Sequence, residues 1–222
     1  MIHTNMANPQ NHIQNTTIDL METLGFGRKP QVSYSDKTLS HLHEYYLSGP
    51  IEDASKYTDW FNQIRHAGPG DFIKIYINSE GGSLWTAIQF MRVLKETKGN
   101  VIASVEGACM SAATIIFLTC HSFEISPHSI FMFHNYSGGA IGKGGEMIDQ
   151  IKHERKWSER LLNEIYQDFL APDEIKAMLN NKDLWMTSEE VVSRLNRKAT
   201  KVTKKAPKAS GRSKQGKNSS TA

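Results

Sequence analysis

Cysteine is scarce in this chain, two in 222 residues. Cys109 and Cys120 lie in one apolar stretch without the paired spacing of a zinc or redox motif. A disulfide framework is thereby excluded, and both read as reduced, buried thiols of a cytosolic protein, neither of them a metal ligand. Long hydrophobic runs are also lacking. The longest, 112–120, is too short to span a bilayer, and the opening MIHTNMANPQNHIQNTT has no basic segment leading into an apolar one. The expectation is a soluble, cytoplasmic protein with no membrane partner. No P-loop pattern occurs, so any ATP hydrolysis falls to a separate chain.

Acid is missing from one end. Residues 197–222 hold nine of the 26 Lys and Arg and none of the 23 Asp and Glu, so 17 basic and 23 acidic residues remain elsewhere, a net of −6 beneath an overall +3. This tail, RKATKVTKKAPKASGRSKQGKNSSTA, has too little apolar content to offset the entropy of ordering and is expected to be disordered. Nucleic acid or another polyanion could bind it, although a solvated tail without a specific partner is the plainer reading. Residues 1–31 read as a loose, polar arm. The ordered domain is then 32–196, of ordinary size for one core.

Within that domain strands and helices alternate. A short strand at 45–48 ends at Gly49-Pro50, and Ala54, Tyr57, Trp60, Phe61 and Ile64 follow at helical spacing. FIKIYIN, 72–78, alternates as a half-buried or fully buried strand. Gly81-Gly82 breaks it, and Leu84, Ile88, Met91 and Leu94 then mark one face of a helix. A third strand, 101–105, breaks at Glu106-Gly107 before a small-residue helix headed by Ser111, and Ile130–Phe133 is a later strand ending at His134. A long amphipathic helix is expected at 145–170, with more apolar positions than one sheet face covers, and a last helix at 188–195. The pattern predicts an α/β domain with parallel strands.

In such sheets active sites gather at the carboxyl ends of strands, where Gly81-Gly82, Ser111 and His134 all fall. Each has a plain alternative: a tight turn, a helix cap and a core histidine, while Asp183 simply precedes a capped helix. Taken together they supply what hydrolysis by a serine needs. A hydroxyl at a helix start lies near unpaired N–H donors, a histidine can act as its base, a carboxylate can orient the histidine, and a glycine pair lets backbone donors approach an oxyanion.

Five motifs, in order, resemble the proteolytic subunit of the Clp ATP-dependent serine protease: YYLSGPI (45–51), IYINSEGGS (75–83), VEGACMSAA (105–113), FMFHNYSGG (131–139) and DLWMTSEEV (183–191). The resemblance covers about 39–195 and implies the Clp-protease/crotonase-like fold of stacked βαβ units with a long handle helix, here 145–170. It maps Ser111 to the nucleophile, His134 to the general base, Asp183 to the third triad member, and the N–H groups of Gly82 and Ala112 to the oxyanion hole. Gly81, Gly82, Ser83 and Asn135 become the expected substrate contacts, where an extended peptide pairs as an added strand with little sequence preference. Also implied are a homo-oligomer of two stacked heptameric rings, an AAA+ Clp unfoldase as partner, unfolded polypeptides as substrates, and no metal or organic cofactor.

Three departures stand out. Glu80 replaces the family's usual proline before the glycine pair, bringing a carboxylate near the oxyanion donors. The N-terminal arm does not look like the family's axial loop, and the usual Gly-Leu-Val-Asp after the last helix gives way to the basic tail. Two other readings compete: a catalytically silent ring or scaffold protein that binds polyanions through that tail, and a crotonase-type acyl-CoA enzyme, whose paired N–H groups need no Ser-His-Asp set.

Overall fold

In the computed structural model residues 40–205 are described. The expected arm, residues 1–31, and tail residues 206–222 lie outside them.

The chain opens with strand β1 (Leu42–Ser48), a 3-10 turn (Ala54–Tyr57) and helix α1 (Thr58–His66), then β2 (Phe72–Ser79), α2 (Leu84–Glu96), β3 (Asn100–Met110) and α3 (Ala112–Thr119). Two short strands follow, β4 (Ser122–Ile125) and β5 (Ile130–Phe133), then the long α4 (Gly144–Tyr166), α5 (Pro172–Leu179), β6 (Leu184–Thr187) and α6 (Ser188–Lys205). The sheet runs β1-β2-β3-β5-β6, with β4 also on β3. All pairs are parallel except β5 with β6, so the expected all-parallel sheet becomes a mixed one. None of the described helices is long and apolar enough to cross a membrane.

One face of β2 is sealed and the other is not, which resolves the alternation in FIKIYIN as a half-buried strand. Ile73, Ile75 and Ile77 are fully buried, while Phe72, Lys74 and Tyr76 lie on the partly exposed side. Val101, Ala103 and Val105 of β3 continue that inner face, covered by Phe61 and Ile64 of α1 and by Phe90, Val93 and Leu94 of α2. Each such aliphatic or aromatic side chain contributes about 1.5–3 kcal/mol when fully buried. Helix α3 has no polar face: Ala112 through Phe117 are all buried, as expected of a helix placed inside the core. Cys109 and Cys120 are buried free thiols beside it, both made harder to ionise by burial.

Three local expectations shift. The buried stripe of α2 is Thr86, Ala87, Phe90, Val93 and Leu94, whereas Leu84, Ile88 and Met91 are only half-buried. The small Ala87 lets the helix approach the sheet, and Thr86 is drawn inward because its hydroxyl donates to the Glu52 carbonyl at 2.8 Å. Strand β3 does not break at Glu106-Gly107. The ladder shifts register there instead, from Ile77 on Val105 to Ser79 on Cys109, and the Asn78 side chain fills the gap by accepting the Ala108 N–H at 3.0 Å. Helix α6 passes Leu195 and Arg197 and ends at Lys205, so the first part of the basic tail is helical. Lys, Arg and Ala are good helix formers, extension of an existing helix avoids the cost of nucleation, and positive charge favours a helix C-terminus.

Candidate active site

Strand β3 turns into α3 at Ser111, and the turn is sharp enough to force this residue to φ 54° and ψ −126°, outside the usual range for a side-chain-bearing residue. The position is held from several sides. The Ser111 N–H donates to the Met132 carbonyl at 2.8 Å, while its own carbonyl accepts the Thr114 N–H at 2.9 Å and the Thr114 hydroxyl at 2.7 Å. Thr114 Oγ1 is also 2.7 Å from the buried phenol of Tyr166, at the end of α4, and burial pushes that phenol's pKa up so that it stays protonated. The strained turn aims the Ser111 side chain out of the core.

There it meets His134, the residue after β5. Parallel pairing of Ala108–Met110 with Ile130–Met132 brings the two strand ends side by side, and His134 Nε2 lies 2.5 Å from Ser111 Oγ. This is hydrogen-bond distance, with the donor set by the histidine tautomer. Nδ1 of His134 has no hydrogen-bond partner among the described residues.

The glycine pair closes the other wall. Gly81 has φ +98°, and a Cβ there would meet Ser111 Cβ at 2.6 Å and the Met110 carbonyl oxygen at 2.8 Å, so only glycine lets this loop lie against the serine. Ile51 donates to the Gly81 carbonyl and accepts the Ser83 N–H, each at 2.8 Å, which turns the intervening Gly82 N–H away from Ile51. Gly82 and Ala112 both line the cavity of about 350 Å³ at Ser111, and neither N–H has an acceptor among the described residues. Ala112 opens α3, where the first N–H groups lack intrahelical partners.

Other expected residues have different occupations. Asp183 lies one residue before β6, and the antiparallel register that pairs Phe133 with Leu184 puts it level with His134. Its carboxylate is nevertheless exposed and has no hydrogen bond or ion pair among the described residues. Ser83 caps α2, its hydroxyl accepting the Thr86 N–H at 3.2 Å, and both its main-chain groups are bonded. Asn135 borders the cavity, but its amide donates to the Leu179 carbonyl at 3.3 Å and to Asn181 Oδ1 at 3.2 Å, tying the turn that carries Asp183. Glu80 is exposed.

Residues that the sequence did not single out complete the cavity wall. Trp85 of α2 stacks on Trp157 of α4, and Tyr136 donates to Glu154 Oε2 at 3.2 Å. Trp85, just inside the start of α2, is 70% exposed in the folded chain, and nothing in the local sequence marks it for this wall.

The sequence profile of the Clp protease family matches residues 31–194. The chain belongs to that family. Similar Clp relatives include the ATP-dependent Clp protease proteolytic subunit of Bacteroides thetaiotaomicron, 29% identical over 125 residues, 55% of this chain and 56% of that protein. The proteolytic subunit 1 of Chlamydia caviae is 27% identical over 165 residues, 70% of this chain and 84% of that protein. The subunit of Leuconostoc citreum is 30% identical over 155 residues, 66% and 76% of the two chains. For the Bacteroides relative, then, the likeness spans little more than half its length. The mixed α/β architecture is that of the Clp protease fold.

Proposed function

We propose that this chain is a serine endopeptidase, the proteolytic subunit of a Clp-type protease. One observation carries the reading: a strained serine 2.5 Å from a histidine nitrogen, in a cavity bordered by two N–H groups without acceptors. Ser111 Oγ attacks the peptide carbonyl as His134 Nε2 takes its proton. The tetrahedral oxyanion is held by Gly82 and Ala112 N–H, His134 protonates the leaving amine, and water then frees the acyl group by the same route reversed. Asp183, level with His134, turns inward to accept from Nδ1 and stabilise the imidazolium. Exposure keeps Glu80 hydrated, so that solvent and salt screen its charge. A crotonase-type function would leave the Ser111–His134 contact without a purpose.

The long α4 supports assembly. Its burial is confined to Ser158, Leu162 and Tyr166, while Ile148 and Ile151, nearer its start, are 54% and 52% exposed. Exposed isoleucines on a long, sparsely buried helix suit contact with further copies of the chain, as in the stacked heptameric rings that the family resemblance implies, with an AAA+ unfoldase supplying unfolded polypeptide. The test is labelling with a fluorophosphonate probe, beside negative-stain imaging for rings. Labelling lost in Ser111→Ala, with kcat for a peptide falling at least about 10⁴-fold, is the expected result. An unlabelled wild-type ring that binds polyanions in a salt-sensitive manner favours the silent scaffold instead.

A further inference from the structure

Beside Ser111 the cavity continues toward α4 and changes character. Trp85 and Trp157 stack there with ring centroids 5.0 Å apart, and Ile115 and Leu162 also line the space. Glu154, one helical turn before Trp157, borders the same space and is half-buried. Tyr136 donates to its Oε2 at 3.2 Å and Gln150 to its Oε1 at 2.8 Å, which fixes the carboxylate in orientation. Its charge has no counterpart: no Lys, Arg or His forms an ion pair with Glu154 among the described residues, and the adjacent Arg155 is engaged by Glu159 at 3.1 Å.

A carboxylate with two donors retains lone pairs for more. Leucine or phenylalanine entering this space would strip water from the carboxylate and return nothing, and an acidic side chain would be repelled. A lysine or arginine satisfies both halves of the pocket, its aliphatic stem lying along the tryptophan faces and its charge reaching Glu154, with the ring quadrupoles adding attraction. Resting on the reading of Ser111 as nucleophile, we propose that this cavity receives the side chain on the acyl side of the cleaved bond and selects Lys or Arg, with Glu154 as the specificity-determining residue.

Peptidyl diphenyl phosphonates that differ only in that side chain test this on the full-length protein, with a small fluorophosphonate lacking any such side chain alongside. The arginine reagent is expected to modify Ser111 roughly tenfold faster than the leucine reagent, the low end of what a hydrogen bond to a charged group contributes. Glu154→Gln should bring the ratio close to one. Faster modification by the leucine reagent, or a ratio untouched by Glu154→Gln, overturns the pocket assignment while labelling by the small reagent still upholds the serine. Failure of the small reagent as well removes the nucleophile, and the pocket assignment falls with it.

Discussion

Ser111 and His134 hang from the ends of two adjacent parallel strands, whereas Asp183 hangs from a turn between a short helix and a four-residue strand at the end of the sheet. The first pair is fixed by strand pairing, by the Gly81 loop packed on the serine and by the Thr114–Tyr166 link to the core. Asp183 is held by the β5–β6 ladder, the Asn135 amide and turn bonds such as Lys182 N–H to the Ala177 carbonyl at 3.1 Å, and its carboxylate faces water. Helix α4 repeats the contrast in one element, with buried residues toward its end and exposed isoleucines nearer its start. A single folded chain thus sets Ser111 against His134, and leaves Asp183 and the outer cavity wall to short elements near the end of the sheet and to the far part of α4.

The strongest challenge to that division is Asp183→Asn. If the carboxylate orients His134 during turnover, kcat should drop roughly 10²- to 10⁴-fold while the melting temperature barely moves. Unchanged turnover would take Asp183 out of the mechanism. Breaking the firm side comes next. Gly81→Ala places a methyl group against the Ser111 Cβ at a positive φ, and urea unfolding should show a loss of about 3 kcal/mol together with lost labelling of Ser111.

The smallest effect sharpens the loose side. Glu174 of α5 receives a two-pronged contact from Arg194 of α6, both bonds 2.7 Å, which clamps the elements on either side of β6. The Arg194 guanidinium, and secondarily the Ala171 N–H, hold the Glu174 carboxyl below its ordinary pKa of 4.5 against the opposing effect of burial. A depressed folded-state value means that the clamp stabilises fully above the unfolded-state pKa and loses that contribution as pH falls through the folded-state value. Both partners are partly exposed, so the gain is about 1 kcal/mol at most. Melting temperatures followed downward from about pH 6 should fall less steeply in Glu174→Gln than in the wild type.

Much of this was legible in the sequence, for physical reasons. Periodicity found β2, β5, α1 and the body of α4 because each presents a face to the core. It missed β4 and β6, four residues each, whose alternation is too brief to register, and in β6 the apolar Trp185 holds an exposed position where a polar residue would have shown the alternation. The break expected at Glu106-Gly107 became a register shift because Asn78 of the neighbouring β2 takes over one ladder bond, a rescue visible only once the strands are paired. Ser111 beside His134 follows from β3 running parallel to β5. The engagement of Ser83 and Asn135 as structural ties, and the joining of Trp85 to Trp157, depend on neighbours distant in the chain, so no local pattern announces them.

Burial of both sulfur atoms beside α3 has a practical corollary. With ionisation suppressed and access closed, alkylating agents and mild oxidants meet no thiolate among the described residues, so the protein should keep its function without added reductant. Inactivation by iodoacetamide in the native state would then report opening of the interior around Cys109 and Cys120, giving a ready chemical gauge of how often that core breathes.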